Sequence, residues 1–231
     1  MTTSPRASAA FGRAPRQGAR LDALSRRQVM IGLGVGLAGL VGACARDSGS
    51  AEDAEAAEFA GILLGEPLAK PTQLFTDTSG APFSFAEATE GQLSLLFFGY
   101  TSCPDICPVH LGIISRALER IDGPAGKALL AFVGVDTARD TPEVMRTYLD
   151  RFDEDFVGLT ASDAVIEEAQ VALNLPPVVI EPPDADGGYN VGHASQVLVF
   201  TPDNLCHLVY PVGTRQQDWM ADLPRLLTKE W

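Results

Sequence analysis

The sequence predicts a single α/β sandwich made of two strand–helix units, a β-hairpin and a closing helix. Three observations carry that expectation. Two short apolar runs, LSLLFF (93–98) and ALLAFVGV (128–135), have the length and composition of strands buried on both faces. Each leads into an amphipathic helical pattern, the first through Leu111, Ile114 and Leu118, the second from Pro142 to about Phe152. Gln196–Phe200 and Leu205–Tyr210 then flank Pro202-Asp203-Asn204, a turn-forming triplet between two apolar runs.

Taken in order, Leu74 to Phe85 reads as a short hairpin about Thr78-Ser79-Gly80. Leu93–Phe98 is the central strand, and Gly123-Pro124 stops the helix after it near Ile121. Ala128–Val135 is the next buried strand. Thr141-Pro142-Glu143 then supplies an N-cap, a proline at the first helical position and a first-turn acid. Phe156–Leu159 is a short strand. Thr160 and Asp163 form a capping-box-like start to a helix ending near Leu173. Residues 176–192 (PPVVIEPPDADGGYNVG) form a long loop inserted before the last hairpin. Thr214 and Gln217 cap a final helix bearing Trp219, Leu223 and Leu226. That order describes a thioredoxin-like sandwich, a central mixed sheet flanked by helices with an N-terminal hairpin.

The N-terminus sets the compartment. Residues 29–43 (VMIGLGVGLAGLVGA) carry no charge, but 15 residues fall short of the roughly 20 a spanning helix needs. Preceded by Arg26-Arg27, they resemble a twin-arginine export signal. The run ends in VGAC (41–44), which resembles a bacterial lipobox and makes Cys44 the lipidation site. An uncleaved anchor with Cys44 incidental is the alternative, and both place the chain on the extracytoplasmic face of the membrane, on the periplasmic or cell-wall side. The expected organisation is a signal peptide over 1–43, an acidic flexible spacer over 44–60, and one domain over 61–231.

From Cys44 onward 11 basic residues face 29 acids, a formal charge of −18. Such a surface disfavours nucleic acid and anionic lipid headgroups and suits metal cations or basic protein patches, although solubility alone accounts for much of it.

With Cys44 assigned to lipid, Cys103, Cys107 and Cys206 remain. Cys103 and Cys107 lie between the central strand and a helix N-terminus, where the helix dipole favours the thiolate. On a continuous helix they would stand at i and i+4, with Cβ atoms about 5–6 Å apart, wider than the roughly 3.5–4.5 Å of a disulfide. Two sulfurs at that spacing suit one soft metal ion, Cu(I) foremost and Zn(II) second. A structural disulfide is the weaker alternative, because so short a bridge closes little loop entropy. A third ligand comes from His110, at i+7 of that helix, or from His193, at the mouth of the sheet. Pro108 makes an unbroken helix from Cys103 doubtful, which favours His193. His207 and Cys206, inside a strand-like run, read as a structural histidine and a buried inert thiol.

Three ordered segments carry a family resemblance: FFGYTSCPDICPVHL (97–111), VDTARDTPEVMRTYLDRF (135–152) and YNVGHASQVLVFTPDN (189–204). Together they resemble the Sco/SenC family of thioredoxin-fold copper chaperones of cytochrome c oxidase assembly, over about residues 61–228. The resemblance implies copper, Cu(I) or Cu(II), held by Cys103, Cys107 and His193, with His110 outside the ligand set. It also implies Asp136 as an acidic residue near the metal loop, whose alternative role is to cap the strand end or pair with Arg139. The family usually carries an acid immediately before the histidine, where this chain has Gly192. The implied partners are the copper-receiving subunit of cytochrome c oxidase or another copper chaperone, served by a lipid-anchored monomer. The rival activity is a thiol–disulfide oxidoreductase using Cys103 and Cys107 to reduce the acceptor's cysteines.

Overall fold

A computed structural model of the chain describes residues 58–231. The export signal, Cys44 and the spacer up to residue 57 lie outside the described residues. Three residues assigned to the spacer, Glu58 to Ala60, are part of the domain. Glu58 pairs with Arg225 at 2.7 Å and Lys229 at 3.4 Å, and Phe59 is buried against Trp231. Among the described residues no helix is long and apolar enough to cross a membrane.

Ten strands and five α-helices form the domain in the expected α/β order. The strands are β1 (Ile62–Ala69), β2 (Leu74–Asp77), β3 (Pro82–Ser84), β4 (Ser94–Gly99), β5 (Leu129–Gly134), β6 (Val157–Thr160), β7 (Val179–Ile180), β8 (Val191–Gly192), β9 (Val197–Phe200) and β10 (Leu205–Tyr210). The helices are α1 (Phe85–Ala88), α2 (Ile106–Arg120), α3 (Pro142–Leu149), α4 (Asp163–Ala172) and α5 (Gln216–Thr228). One eight-stranded mixed sheet runs β1-β10-β9-β4-β5-β6-β2-β3. Its centre is the thioredoxin-like core: β4 parallel to β5, β5 parallel to β6, and β9 antiparallel to β4. Every residue of β4 is buried, which is why its sequence is an apolar run rather than an alternation.

Several elements depart from the sequence reading for local reasons. Edge strand β1 is absent from it because most of its residues are exposed and its pairing with β10 is broken by a bulge between Leu63 and Leu68. No clean period-2 pattern survives that irregularity. The expected loop over 176–192 contains a small ribbon, β7 paired with β8, closed by a turn in which the Asp184 carboxylate accepts from the N–H groups of Asp186 and Gly188. Thr141 caps α3 as expected, accepting from Val144 N–H at 3.4 Å, but α3 ends at Leu149 rather than Phe152. Helix α4 is capped by Ser162, not Thr160, which sits in β6 and donates to the Thr76 carbonyl. At α5 the cap is Arg215, whose N–H donates to the Asp218 carboxylate at 3.0 Å, while the Thr214 hydroxyl turns back to the Pro211 carbonyl.

Asp222 ties the first described residues to the closing helix. Buried on α5, it accepts from the Ala60 N–H at 2.8 Å and the Tyr210 hydroxyl at 3.0 Å. Removing the carboxylate strands the buried Tyr210 hydroxyl, a cost of about 1–3 kcal/mol, and unties the half-buried bond to the Ala60 N–H. Asp222→Ala is expected to lower unfolding stability by about 2–4 kcal/mol, measured by urea denaturation, without changing metal affinity.

Candidate metal centre

The sheet topology brings three loops to one end. Cys103 and Cys107 follow β4, and Asp136 to Asp140 follow its parallel neighbour β5. His193 precedes β9, which runs antiparallel to β4, so the start of β9 lies beside the end of β4. Sites of open α/β sheets sit at this carboxyl edge of the parallel strands.

Cys103 lies in the turn before α2, its N–H bonded to the Tyr100 carbonyl at 3.1 Å, and Cys107 lies in the first turn of the helix. The pair is therefore not at i and i+4 of a continuous helix, and the Cys107 N–H donates to Cys103 Sγ at 3.5 Å. Both thiols are free. The Cys107 thiol donating to Cys103, together with the N–H groups of Cys107 and Asp105, holds the Cys103 thiol down at about 4 against the opposing effect of burial. The same hydrogen bond, with burial, pushes Cys107 up. Of the two thiols, Cys103 is therefore the one that ionises more readily. Gly99, at the end of β4, is needed for this fit: a Cβ there would stand 2.9 Å from Cys107 Sγ and 2.6 Å from the Phe132 ring.

His193 completes the group. Its Nδ1 lies 2.7 Å from the Ala194 carbonyl, which can only accept, so Nδ1 carries the proton. Nε2 then presents its lone pair 3.6 Å from Cys107 Sγ. Ligand atoms of Cys103, Cys107 and His193 lie within 4.8 Å of one another, close enough to hold one metal ion. Two thiolates with one oriented imidazole form a soft, three-coordinate donor set that fits copper.

His110 stands apart from this group. Buried one turn further along α2, it packs on Phe97 with ring centroids 5.4 Å apart, and burial lowers its pKa. His207 and Cys206 have the structural roles expected. His207 donates to Asp203 at 2.7 Å and stacks on Trp231 at 4.0 Å, while burial pushes Cys206 up to about 12. Asp136 does not join the ligand group but binds Arg139 and the Tyr189 hydroxyl, the latter at 2.9 Å. A Cβ at Gly192 would meet Val179 at an ordinary 3.6 Å, so the absence of a side chain there is not forced by close packing at Cβ.

Asp140 escaped the sequence reading because it sits just before the α3 N-cap and passes for part of that capping sequence. Its carboxylate accepts from the Thr101 N–H at 3.0 Å and hydroxyl at 2.7 Å, fastening the cysteine loop to the end of β5. Burial raises its pKa. Tyr100 is buried with its ring edge-on to His193 at 5.5 Å. The only sequence signal for either was membership of the two segments that carry the family resemblance.

Fold and site together define a thioredoxin-like thiol protein whose cysteine pair converges with a histidine into a group that could hold a metal ion. The chain belongs to the SCO1/SenC family, whose profile matches residues 66–228. It is 34% identical over 170 residues to a Stutzerimonas stutzeri protein named as a candidate for copper binding, spanning 73% of this chain and 82% of that one. Among solved structures it resembles Bradyrhizobium japonicum ScoI with copper bound, at 31% identity and a TM-score of 0.60, over 69% of this chain and 99% of that one. It also resembles apo Sco1 of Thermus thermophilus, at 31% identity and a TM-score of 0.63, over 73% and 97%.

The low pKa of Cys103 yields a pH signature. Cys103 is expected to alkylate with iodoacetamide at a rate nearly flat from about pH 6 to 9, because its thiolate is already formed. Removing the donor in Cys107→Ala raises the Cys103 midpoint, so the rate at pH 6 falls while that at pH 9 holds. Cys206 stays unmodified until the protein unfolds. Peptide mass spectrometry reads all three sites.

Proposed function

We propose that this protein is an extracytoplasmic copper chaperone that binds copper through Cys103, Cys107 and His193 and delivers it to the copper centre of cytochrome c oxidase. One observation carries the reading: two sulfurs and an imidazole nitrogen within 4.8 Å of one another, with the imidazole held in the tautomer that leaves Nε2 free. Family membership supports the cargo and the assembly role.

Copper is the cargo. Cys103 is already a thiolate, and Cys107 gives up the remaining proton on loading, so binding releases about one proton at neutral pH. Cu(I) is held mainly by the sulfurs, and the imidazole makes the site tolerant of Cu(II). Delivery is ligand exchange. His193 comes from a different loop from the cysteines and is the ligand an acceptor displaces first, leaving copper on two sulfurs that pass it on. Cys44, lipidated after export, tethers the domain to the membrane that contains the acceptor. The low pKa of Cys103 favours one alternative, a dithiol that reduces the acceptor's cysteines.

Copper titration of the reduced domain against a competing chelator tests the ligand set. Cys107→Ser is expected to abolish tight binding, His193→Ala to weaken it by about 10–100-fold, and His110→Ala to leave it unchanged. Loss in His110→Ala with retention in His193→Ala would overturn the assignment. A chaperone fails to restore oxidase copper in His193→Ala cells, whereas a dithiol reductase still does so.

A further inference from the structure

Copper loading needs His193 to stand over the cysteine pair, yet the ribbon that leads to it is slight. β7 and β8 pair through two residues each, and Val179 and Ile180 are 57% and 60% exposed. The firm attachment lies elsewhere, at Arg139 in the loop after β5. Its guanidinium bonds the buried Asp136 carboxylate, donates to the Tyr189 carbonyl at 3.2 Å, and lies over the Tyr189 ring at 3.7 Å. The Tyr189 hydroxyl donates back to Asp136 at 2.9 Å, closing a three-residue knot. The same guanidinium is 5.9 Å from the centroid of the Tyr100 ring, whose edge meets His193.

We infer that Arg139 is the positioning residue for His193, holding the strand that precedes it against the cysteine loop through Tyr189 and Tyr100. The inference rests on the proposed role of His193 as a copper ligand. Arginine suits the place chemically. A planar guanidinium bonds a carboxylate and a carbonyl in its own plane while its face stacks on an aromatic ring, which a lysine ammonium cannot do. Asp136 makes the knot stringent: with a side chain fully buried, it needs the cation beside it, and losing Arg139 leaves an uncompensated charge next to the loop. Tyr189 lies four residues before His193, so release of the tyrosine frees the segment that sets the imidazole over Cys107. Apparent copper affinity then falls by the fraction of molecules in which His193 is out of place.

The experiment compares copper affinity, the absorption spectrum of the Cu(II)-loaded protein and amide exchange of the metal-free protein. The variants are Arg139→Ala, Arg139→Lys, Tyr189→Phe, His193→Ala and the Arg139→Ala/His193→Ala double. Arg139→Ala is expected to weaken copper about tenfold, to shift the Cu(II) spectrum toward that of His193→Ala, and to speed exchange over residues 189–194. Arg139→Lys should not rescue it. Tyr189→Phe keeps the stack and loses one hydrogen bond, so its effect is in the same direction and smaller, and it reports even if Arg139→Ala fails to fold. If Arg139 acts through His193, the double variant binds copper no more weakly than His193→Ala alone. Additive losses in the double variant, or unchanged exchange at 189–194, would overturn the inference. Wild-type copper affinity in His193→Ala would instead overturn the ligand reading, leaving the exchange data to decide whether Arg139 pins the segment.

Discussion

The antiparallel ladder between β9 and β4 is the constraint on which the centre depends. A parallel β9 would bring its leading residue to the far end of the sheet, well away from the cysteines. Because Leu96 pairs with Leu198 in the antiparallel sense, the chain entering β9 arrives where the chain leaving β4 departs. Residues 86 apart in sequence thereby come within 3.6 Å of each other. β9 is buried along its whole length, as β4 is, and β5 everywhere but at Leu129, so the meeting point rests on the core of the sheet.

The electrostatics of that meeting point are unusual for a buried place. Two carboxylates, Asp136 and Asp140, and a thiolate, Cys103, lie around the end of β4 and β5, and Arg139 is the cation that bonds among them. Each acid has a separate task. Asp140 secures Thr101 in the cysteine loop, and Asp136 secures Tyr189 in the histidine segment. The excess of negative charge makes the pocket favourable to a metal cation before any bond forms, because fields are weakly screened where water is excluded.

Much of this was legible in the sequence, and what was not has physical causes. The buried strands and the amphipathic helices announced themselves because burial on both faces or on one stripe imposes a pattern. Edge strand β1 did not, since a bulged, exposed strand imposes none. The caps of α4 and α5 were misplaced by one or two residues, because Thr160 and Ser162 are both competent caps and only the length of β6 decides between them. For the centre, the cysteines and both rival histidines were visible. The structure brings His193 to the sulfurs and leaves His110 against Phe97, as the helix starting only at Ile106 requires. The supporting residues Asp140, Arg139 and Tyr189 were invisible as a set, because their partnership exists only once three loops meet.

The bond from His193 Nδ1 to the carbonyl of the very next residue has a further meaning. An imidazole held by a distant partner can swivel about its own side-chain torsions while the backbone stays still. Here ring and main chain are joined within two residues and move as one piece. Moving the imidazole off the sulfurs would therefore require hinging a length of chain rather than spinning a ring.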